Sequence, residues 1–409
     1  MYPQVGRNKV SWNEAISFAK KELEKCGPGS IGIALSSNSS NEDAYATGFI
    51  AKELGIKTVL ASGDEADNEA CQGNRWQVEG VAPGNIDDIG SSGSLLIVGD
   101  ILTRSPVLSK RINLVKYGKR GNQIIVIDPN ASHTSWFATI HLKNKPGTEA
   151  LLMTALLKAL EGSKKEKIDV DLDEVSKTVG IPADIITRAA KAFDAASSGT
   201  VIFSPSKNIQ RNDLVQYFAK VASSLSINKK HITFHGYGNA LGINTIIDSM
   251  VEDCGSKADI KALISIGDDM DIPATKFSVR ACYFAPDTVK ENTVLLPLAS
   301  HMESEGSVML AGGRTESFKP LAPKIGGRSG LEIMSLISGI KISPDEASEE
   351  AGKILAKGMK EEKVNLKKKI SEALDLRPKT AATLENITHF GDNRLVKRFF
   401  WYRVNNKNG

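Results

Sequence analysis

What most constrains the fold of this chain is a succession of short, uninterrupted apolar runs, each followed by a turn and a segment with helical spacing. GSIGIALSS, IKTVLAS, SLLIVGD, NQIIVIDP and TVIFSP form one series; ADIKALISIGDD, FSVRACYFAP and NTVLLPLAS form a second. A strand wetted on one face alternates apolar and polar residues. A run that is apolar throughout needs cover on both faces, as parallel strands between helical layers have. The intervening segments supply those helices. SWNEAISFAKKELEKC opens with a Ser11 cap and Glu14 three residues later, and sets Ala15, Phe18, Ala19 and Leu23 on one face. NEDAYATGFIAKELG closes at Gly55, and PVLSKRINLVKYGKRG and GTEALLMTALLKALEG follow further on. The expected fold class is therefore α/β with mostly parallel sheets. Such open sheets take ligands at the carboxyl ends of their strands, where the loops after Gly99, Asp128, Ser204 and Gly267 fall.

With 409 residues there is ample material for more than one packed unit, and 41% apolar with 24% charged residues is an ordinary soluble profile. The net charge of +4 is small, and part of it sits in the closing KRFFWYRVNNKNG, so nucleic acid is not an expected partner. MYPQVGRNKVSWNEA lacks the apolar core of a signal peptide, and no apolar run is long enough to span a membrane. The expected location is cytoplasmic, at most peripheral to a membrane complex. Cys26, Cys71, Cys254 and Cys282 are scattered with no CxxC pair, which argues against a structural zinc site or a self-contained iron–sulfur cluster.

Several loops have the composition to hold a ligand. In GDILTRSPVLSKR, Gly99 permits close approach, Asp100, Thr103, Arg104 and Ser105 offer polar contacts, and a helix starting near Pro106 would present free N–H groups to an anion. A plain strand–turn–helix joint accounts for the same pattern. DPNASHTSWFA opens on Asp128, which could accept hydrogen bonds from a ribose or ring amine, or cap its own turn. KPGTEALL reads as ordinary helix capping, with Glu149 in the first turn. HGYGNALG combines Gly236, Gly238 and Gly242 with the donor and acceptor of Asn239, and MESEGSVMLAGGRTESF turns on glycines before Arg314. No GxGxxG or GxxxxGK[ST] motif is present, so neither a Rossmann NAD site nor a P-loop is indicated.

In order, these loops resemble the molybdopterin oxidoreductase family, which includes formate dehydrogenases, the metal subunit of formylmethanofuran dehydrogenase and the large iron–sulfur subunit of NADH–quinone oxidoreductase. The carrying segments are GRNKVSWNEAISFA, NEDAYATGFIAKELG, GDILTRSPV, DPNASHTSWFAT, KPGTE, GIPADIITRAAKAF, GNALG, IGDDMD, TVKENTVLLPLAS and ESEGSVMLAGGRTES, spread over residues 10–339. The resemblance implies two Rossmann-like units, one combining residues 11–68 with 240–340 and the other spanning 70–235, followed by a polar helical extension over 341–409. It implies a cofactor of pterin guanine dinucleotides carrying molybdenum or tungsten. The contacts would come from 99–105, from 128–134 including Asn130 and Thr134, and from the Gly238, Asn239 and Gly242 loop, with Gly267 and Arg314 contributing. Cys71 matches the position of the metal ligand, with Gln72 where formate-oxidising relatives carry histidine and Arg75 as the nearby arginine.

Departures from the family pattern shape the functional expectation. No N-terminal cysteine cluster and no C-terminal cap are expected, and Asp100-Ile101 replaces the Asn-Pro of the phosphate-facing loop. Ser105 replaces its histidine, and Asn130 its arginine. An acidic side chain beside a diphosphate is electrostatically unfavourable. The expectation is a degenerate, structural or docking subunit of a multisubunit electron-transfer complex, without a bound cofactor, whose partner chains carry flavin or iron–sulfur clusters. The alternative is a catalytic molybdenum or tungsten pterin subunit of a formate or formyl-group dehydrogenase acting through Cys71; a plain scaffold is the third reading. The tail containing Phe399, Phe400, Trp401 and Tyr402 is expected to anchor on a partner or on its own body.

Overall fold

A computed structural model of the chain describes residues 1–62, 65–161, 168–251, 260–268, 275–286, 288–358 and 362–379. Cys254 and the aromatic-basic tail lie outside the described residues. In chain order, the first segment forms β1 (Gln4–Val5), β2 (Asn8–Lys9), α1 (Trp12–Glu24), β3 (Ile31–Ser36), α2 (Asn41–Leu54), β4 (Thr58–Ser62) and α3 (Glu65–Asn74). The middle segment contributes β5 (Ala82–Pro83), α4 (Ile86–Ser91), β6 (Ser94–Val98), α5 (Ile101–Arg104), α6 (Ser109–Gly118), β7 (Gln123–Ile127) and β8 (Ile140–Leu142). It continues with α7 (Glu149–Leu160), α8 (Leu172–Val179), α9 (Ala183–Asp194), β9 (Gly199–Phe203), α10 (Asn212–Leu225) and β10 (Lys229–Thr233). The chain then returns through α11 (Ala240–Met250), β11 (Ala262–Ile266), β12 (Phe277–Cys282), β13 (Thr293–Pro297), β14 (Gly306–Met309) and β15 (Thr315–Phe318). It closes with α12 (Gly330–Ser338), α13 (Pro344–Ala356) and α14 (Leu366–Leu374).

These elements form two compact units, Met1–Arg75 with His235–Glu362, and Trp76–Phe234 with Lys363–Gly409. In the first unit the sheet order is β2-β1-β13-β12-β11-β3-β4. Neighbours from β13 to β4 are parallel; β1 joins β13 and β2 antiparallel. In the second unit the order is β5-β10-β9-β6-β7-β8, parallel throughout. β3, β6, β9, β11 and β13 are buried at every position, the physical meaning of their unbroken apolar sequence. Strand order reverses between β3 and β11 in one sheet and between β6 and β9 in the other; the loops at Gly99, Ser204 and Gly267 leave these points, while the Asp128 loop follows β7 and the Gly238 loop follows β10.

Several helix starts carry side-chain caps, but α7 does not: Thr148, in the KPGTE segment that reads as ordinary capping, makes no cap and donates its hydroxyl to Lys145 O at 2.6 Å. Ser11 with Glu14, Ser40 with Asp43, Asn85 with Asp88 and Ser329 with Glu332 all form reciprocal capping boxes. α7 is almost wholly buried, consistent with its apolar composition on all sides, and packs with α8, α9, α10 and α14 of its unit. The expected helix near Pro106 begins differently. A four-residue turn of helix, α5, comes first, Pro106–Leu108 form a 3-10 turn, and α6 starts at Ser109. The two polar helices after residue 340 belong to different units, α13 packing on α2 and α14 on α7. No helix among the described residues is long and apolar enough to cross a membrane.

Candidate functional site

Within the second unit, the loops at the carboxyl ends of β6 and β7 are tied together by Asp100 and Thr134. Gly99 follows β6 with φ +92, donates its N–H to the Ile127 carbonyl at 2.9 Å, and faces Ser204 so closely that a Cβ would lie 2.6 Å from that carbonyl oxygen. Glycine is required here by the chain's own backbone. Asp100 accepts from the hydroxyls of Thr103 and Thr134, the latter at 2.6 Å, and the Leu102 N–H donates to Thr134 Oγ1 at 3.0 Å. Thr134 is fully buried. Arg104 is half-buried, and Ser105 sits in the turn, donating its N–H to Ile101 O at 2.7 Å.

Asp128 is buried and caps its own turn, Oδ1 accepting from the Asn130 N–H at 2.8 Å, while its carbonyl accepts from His141 Nε2 at 2.8 Å. Burial pushes its carboxyl above the ordinary range, against the Ser132 and Asn130 hydrogen bonds that lower it; Asp100 pushes further up and His141 down. In the same unit, Glu149 is almost completely buried at the start of α7, its Oε1 accepting from Asn144 Nδ2 at 3.1 Å and the Gly147 N–H at 3.3 Å. Burial raises its carboxyl to about 7.

The first unit holds Cys71, Gln72, Arg75, Gly238, Asn239, Gly242, Gly267 and Arg314. Asp67 and Cys71 lie four residues apart on one face of α3, and Arg75 sits in the turn that immediately follows it. Cys71 is fully buried, and burial, aided by the Asp67 carboxylate and opposed by Arg75, drives its thiol far above the usual range. Arg75 forms an ion pair with Asp248 of α11, and Gln72 is exposed. Asp67 is fully buried; its carboxylate accepts from the Gly236 N–H at 2.9 and 3.1 Å and lies 3.5 Å from His235 Nδ1. Among the described residues, no group of three or more His, Cys, Asp or Glu side chains is arranged to hold a metal ion.

Asn239 is the centre of a buried polar lock. Its amide donates to Ser39 O at 2.9 Å and Asn41 Oδ1 at 3.0 Å, and its carbonyl accepts from the Met309 N–H at 2.8 Å. Asn41 in turn donates to Ser307 Oγ at 3.1 Å, and Glu42 accepts from the Ser307 N–H and hydroxyl, each at 2.8 Å. Gly242 leaves room for this network: a Cβ there would lie 2.3 Å from Asn239 Oδ1 and 2.5 Å from Asn41 Oδ1. Gly238 is exposed, its N–H on Asn38 Oδ1 at 2.9 Å. Gly267 ends β11 with φ +112, and the following Asp268 accepts from the Tyr283 and Phe284 N–H groups, both at 3.0 Å. Arg314 lies in the β14–β15 hairpin turn, exposed and paired with Glu316 at 2.6 Å.

Gly99, Asp100, Thr103 and Thr134 thus come together, as do Gly238, Asn239 and Gly242, and Cys71 with Arg75. The reading from sequence had not singled out Asp67, Asn41, Glu42, Ser307 or Asp248. Asp67 carried a signal, since it precedes Cys71 by one helical turn. The others contact residues hundreds of positions away or lie on another helix, and local pattern says nothing about them.

The molybdopterin oxidoreductase family model matches residues 6–339. The chain belongs to that family. It is 24% identical over 222 residues to the F420-dependent formate dehydrogenase 1 subunit alpha of Methanococcus maripaludis, a match covering 48% of this chain and 32% of that protein. It is 24% identical over 223 residues to a nitrate reductase of Klebsiella oxytoca, covering 50% and 26%. The match therefore spans about a third or less of these relatives. Among solved structures, acetylene hydratase from Pelobacter acetylenicus has a TM-score of 0.56 at 15% identity, covering 83% of this chain and 61% of that one. A chain of the formyltransferase/hydrolase complex from Methylorubrum extorquens also has 0.56, at 11% identity, covering 86% of this chain and 99% of that one. At these identities the structural likeness concerns the fold.

Proposed function

We propose that this chain is a non-redox member of its family, a structural or docking subunit of a multisubunit complex whose electron carriers, iron–sulfur clusters or flavin, reside on other chains. The surroundings of Cys71 carry this reading. A thiol binds metal as the thiolate and needs an open side for substrate. Cys71 is fully enclosed, its thiolate is opposed by burial and by Asp67, and the neighbouring Arg75 is held by Asp248.

The loops point the same way. The space left by the missing side chain at Gly99 is filled by Ser204 O, that at Gly242 by two amide oxygens, and a carboxylate stands at Asp100. These residues do not fit a metal-bearing pterin dinucleotide. The similarity in fold and span to one chain of a four-part complex, FhcABCD, supports the subunit role.

The test is metal analysis and pterin extraction on both the isolated chain and the assembled complex. Sub-stoichiometric molybdenum, tungsten and pterin in this subunit, and unchanged complex turnover after Cys71→Ala, are the expected results. Stoichiometric metal with pterin, or turnover lost in a folded Cys71→Ala variant, would establish the catalytic alternative, a formate or formyl-group dehydrogenase subunit.

A further inference from the structure

We propose that the outer face of α6, with the adjoining turn at residues 133–137, is a docking surface for an acidic segment of a partner protein. The inference rests on the subunit reading above and adds which surface is used and what it meets. Lys110, Leu114 and Tyr117 recur at helical spacing along α6, and Val107 precedes them in the 3-10 turn that leads into it. Val107 is 71% exposed, Leu114 51% and Tyr117 76%, more apolar surface than a helix packed on its own sheet ordinarily leaves in water. Lys110, Leu114 and Tyr117 line a shallow depression with Ser109 and Asn113.

A second apolar group adjoins this one. Trp136 is 67% exposed, with the His133 ring edge-on at 4.6 Å. Lys116 joins the two groups: its Nζ donates to Trp136 O at 3.0 Å and lies 5.9 Å from the Tyr117 ring and 5.6 Å from the Phe137 ring.

Charge identifies the occupant. Residues 101–140 contain Arg104, Lys110, Arg111, Lys116, Lys119 and Arg120, and their single acid is the buried Asp128. The acids of the adjacent α4 are engaged, Asp87 with Arg111 at 2.9 Å and Asp88 with Lys230 at 2.6 Å. Aromatic anchors with Lys110 and Lys116 beside them, in a segment of net positive charge, match a partner that presents apolar side chains among carboxylates. A lipid surface fits less well, because Lys110 shares its face of α6 with Leu114 and Tyr117. Insertion of that face would carry the ammonium toward the acyl region, whereas a partner carboxylate can pair with it. The chain's own 381–409 segment is a poor occupant: it holds five Lys or Arg against two acids, so like charges would meet.

The experiment uses the full chain, affinity-tagged in its own cells, with a photo-crosslinking residue at Tyr117 and, as a control on the other unit, at exposed Lys341. Adducts from position 117 are expected on an acidic segment of a stoichiometric partner, and none from 341. Lys110→Glu and Tyr117→Ala should each weaken partner binding at least about tenfold while leaving the melting temperature unchanged, and added salt should weaken the wild-type contact. A partner retained by both variants overturns the surface but not the subunit role. A chain that purifies alone overturns both. Binding of the purified chain to vesicles of phosphatidylcholine and phosphatidylglycerol, lost in Lys110→Glu, would replace the protein partner by a membrane.

Discussion

Glu149→Gln should stabilise the second unit at neutral pH, and by an amount that grows with pH. The Glu149 carboxyl titrates at about 7 in the folded chain, against 4.5 for the ordinary group, chiefly because burial penalises the anion. Below about pH 4.5 both folded and unfolded chains hold the proton, and there is no penalty. Between about 4.5 and 7 the unfolded chain ionises first, so stability falls as pH rises; above 7 the loss levels off. A displacement of about 2.5 units corresponds to about 3 kcal/mol. Glutamine keeps an oxygen for Asn144 and Gly147 but does not ionise. Its remaining N–H replaces an Oε2 that has no partner, which costs a constant amount independent of pH. The informative quantity is therefore the difference in unfolding free energy between variant and wild type, from urea titrations or calorimetry at about pH 4.5, 6 and 8, which bracket the Glu149 pKa of about 7. It should rise by about 3 kcal/mol across that range, roughly 6–12 °C in melting temperature for a unit of this size. A difference that stays flat with pH would refute the assignment of a buried, proton-holding Glu149.

Gly99→Ala should destabilise the second unit by about 2–4 kcal/mol, because the new methyl would meet the Ser204 carbonyl in a left-handed backbone; denaturant midpoints would measure it. Asn239→Ala should cost the first unit on the order of 3 kcal/mol, since Asn41, Ser39 O and the Met309 N–H all lose their partner, and hydrogen exchange at the Met309 amide should accelerate. Mapped by mass spectrometry, Cys71 should resist alkylation in the folded chain at pH 8 while partly exposed Cys26 reacts, with both labelled after denaturation. Equal labelling of the two in the native state would show that Cys71 is open.

Part of this protein was legible without coordinates. Unbroken apolar strands demand burial on both faces, and a capping box lies within four residues of the helix start it serves; both are local, so the parallel sheets and the Ser11 cap could be read along the chain. The family resemblance, carried by the order of many loops, was legible for the same reason. What the loops do was not. Gly242 looks the same in sequence whether it admits a ligand or Asn239 and Asn41, and Gly99 whether it faces a phosphate or Ser204 O. Cys71 reads as a metal ligand by position; its enclosure, and the burial of Asp67 one helical turn away, depend on what packs around α3. The protonation of Glu149 is likewise a consequence of burial. Hydrogen-bond partners separated by about two hundred residues, and the dielectric around a buried acid, exist only once the chain has closed on itself.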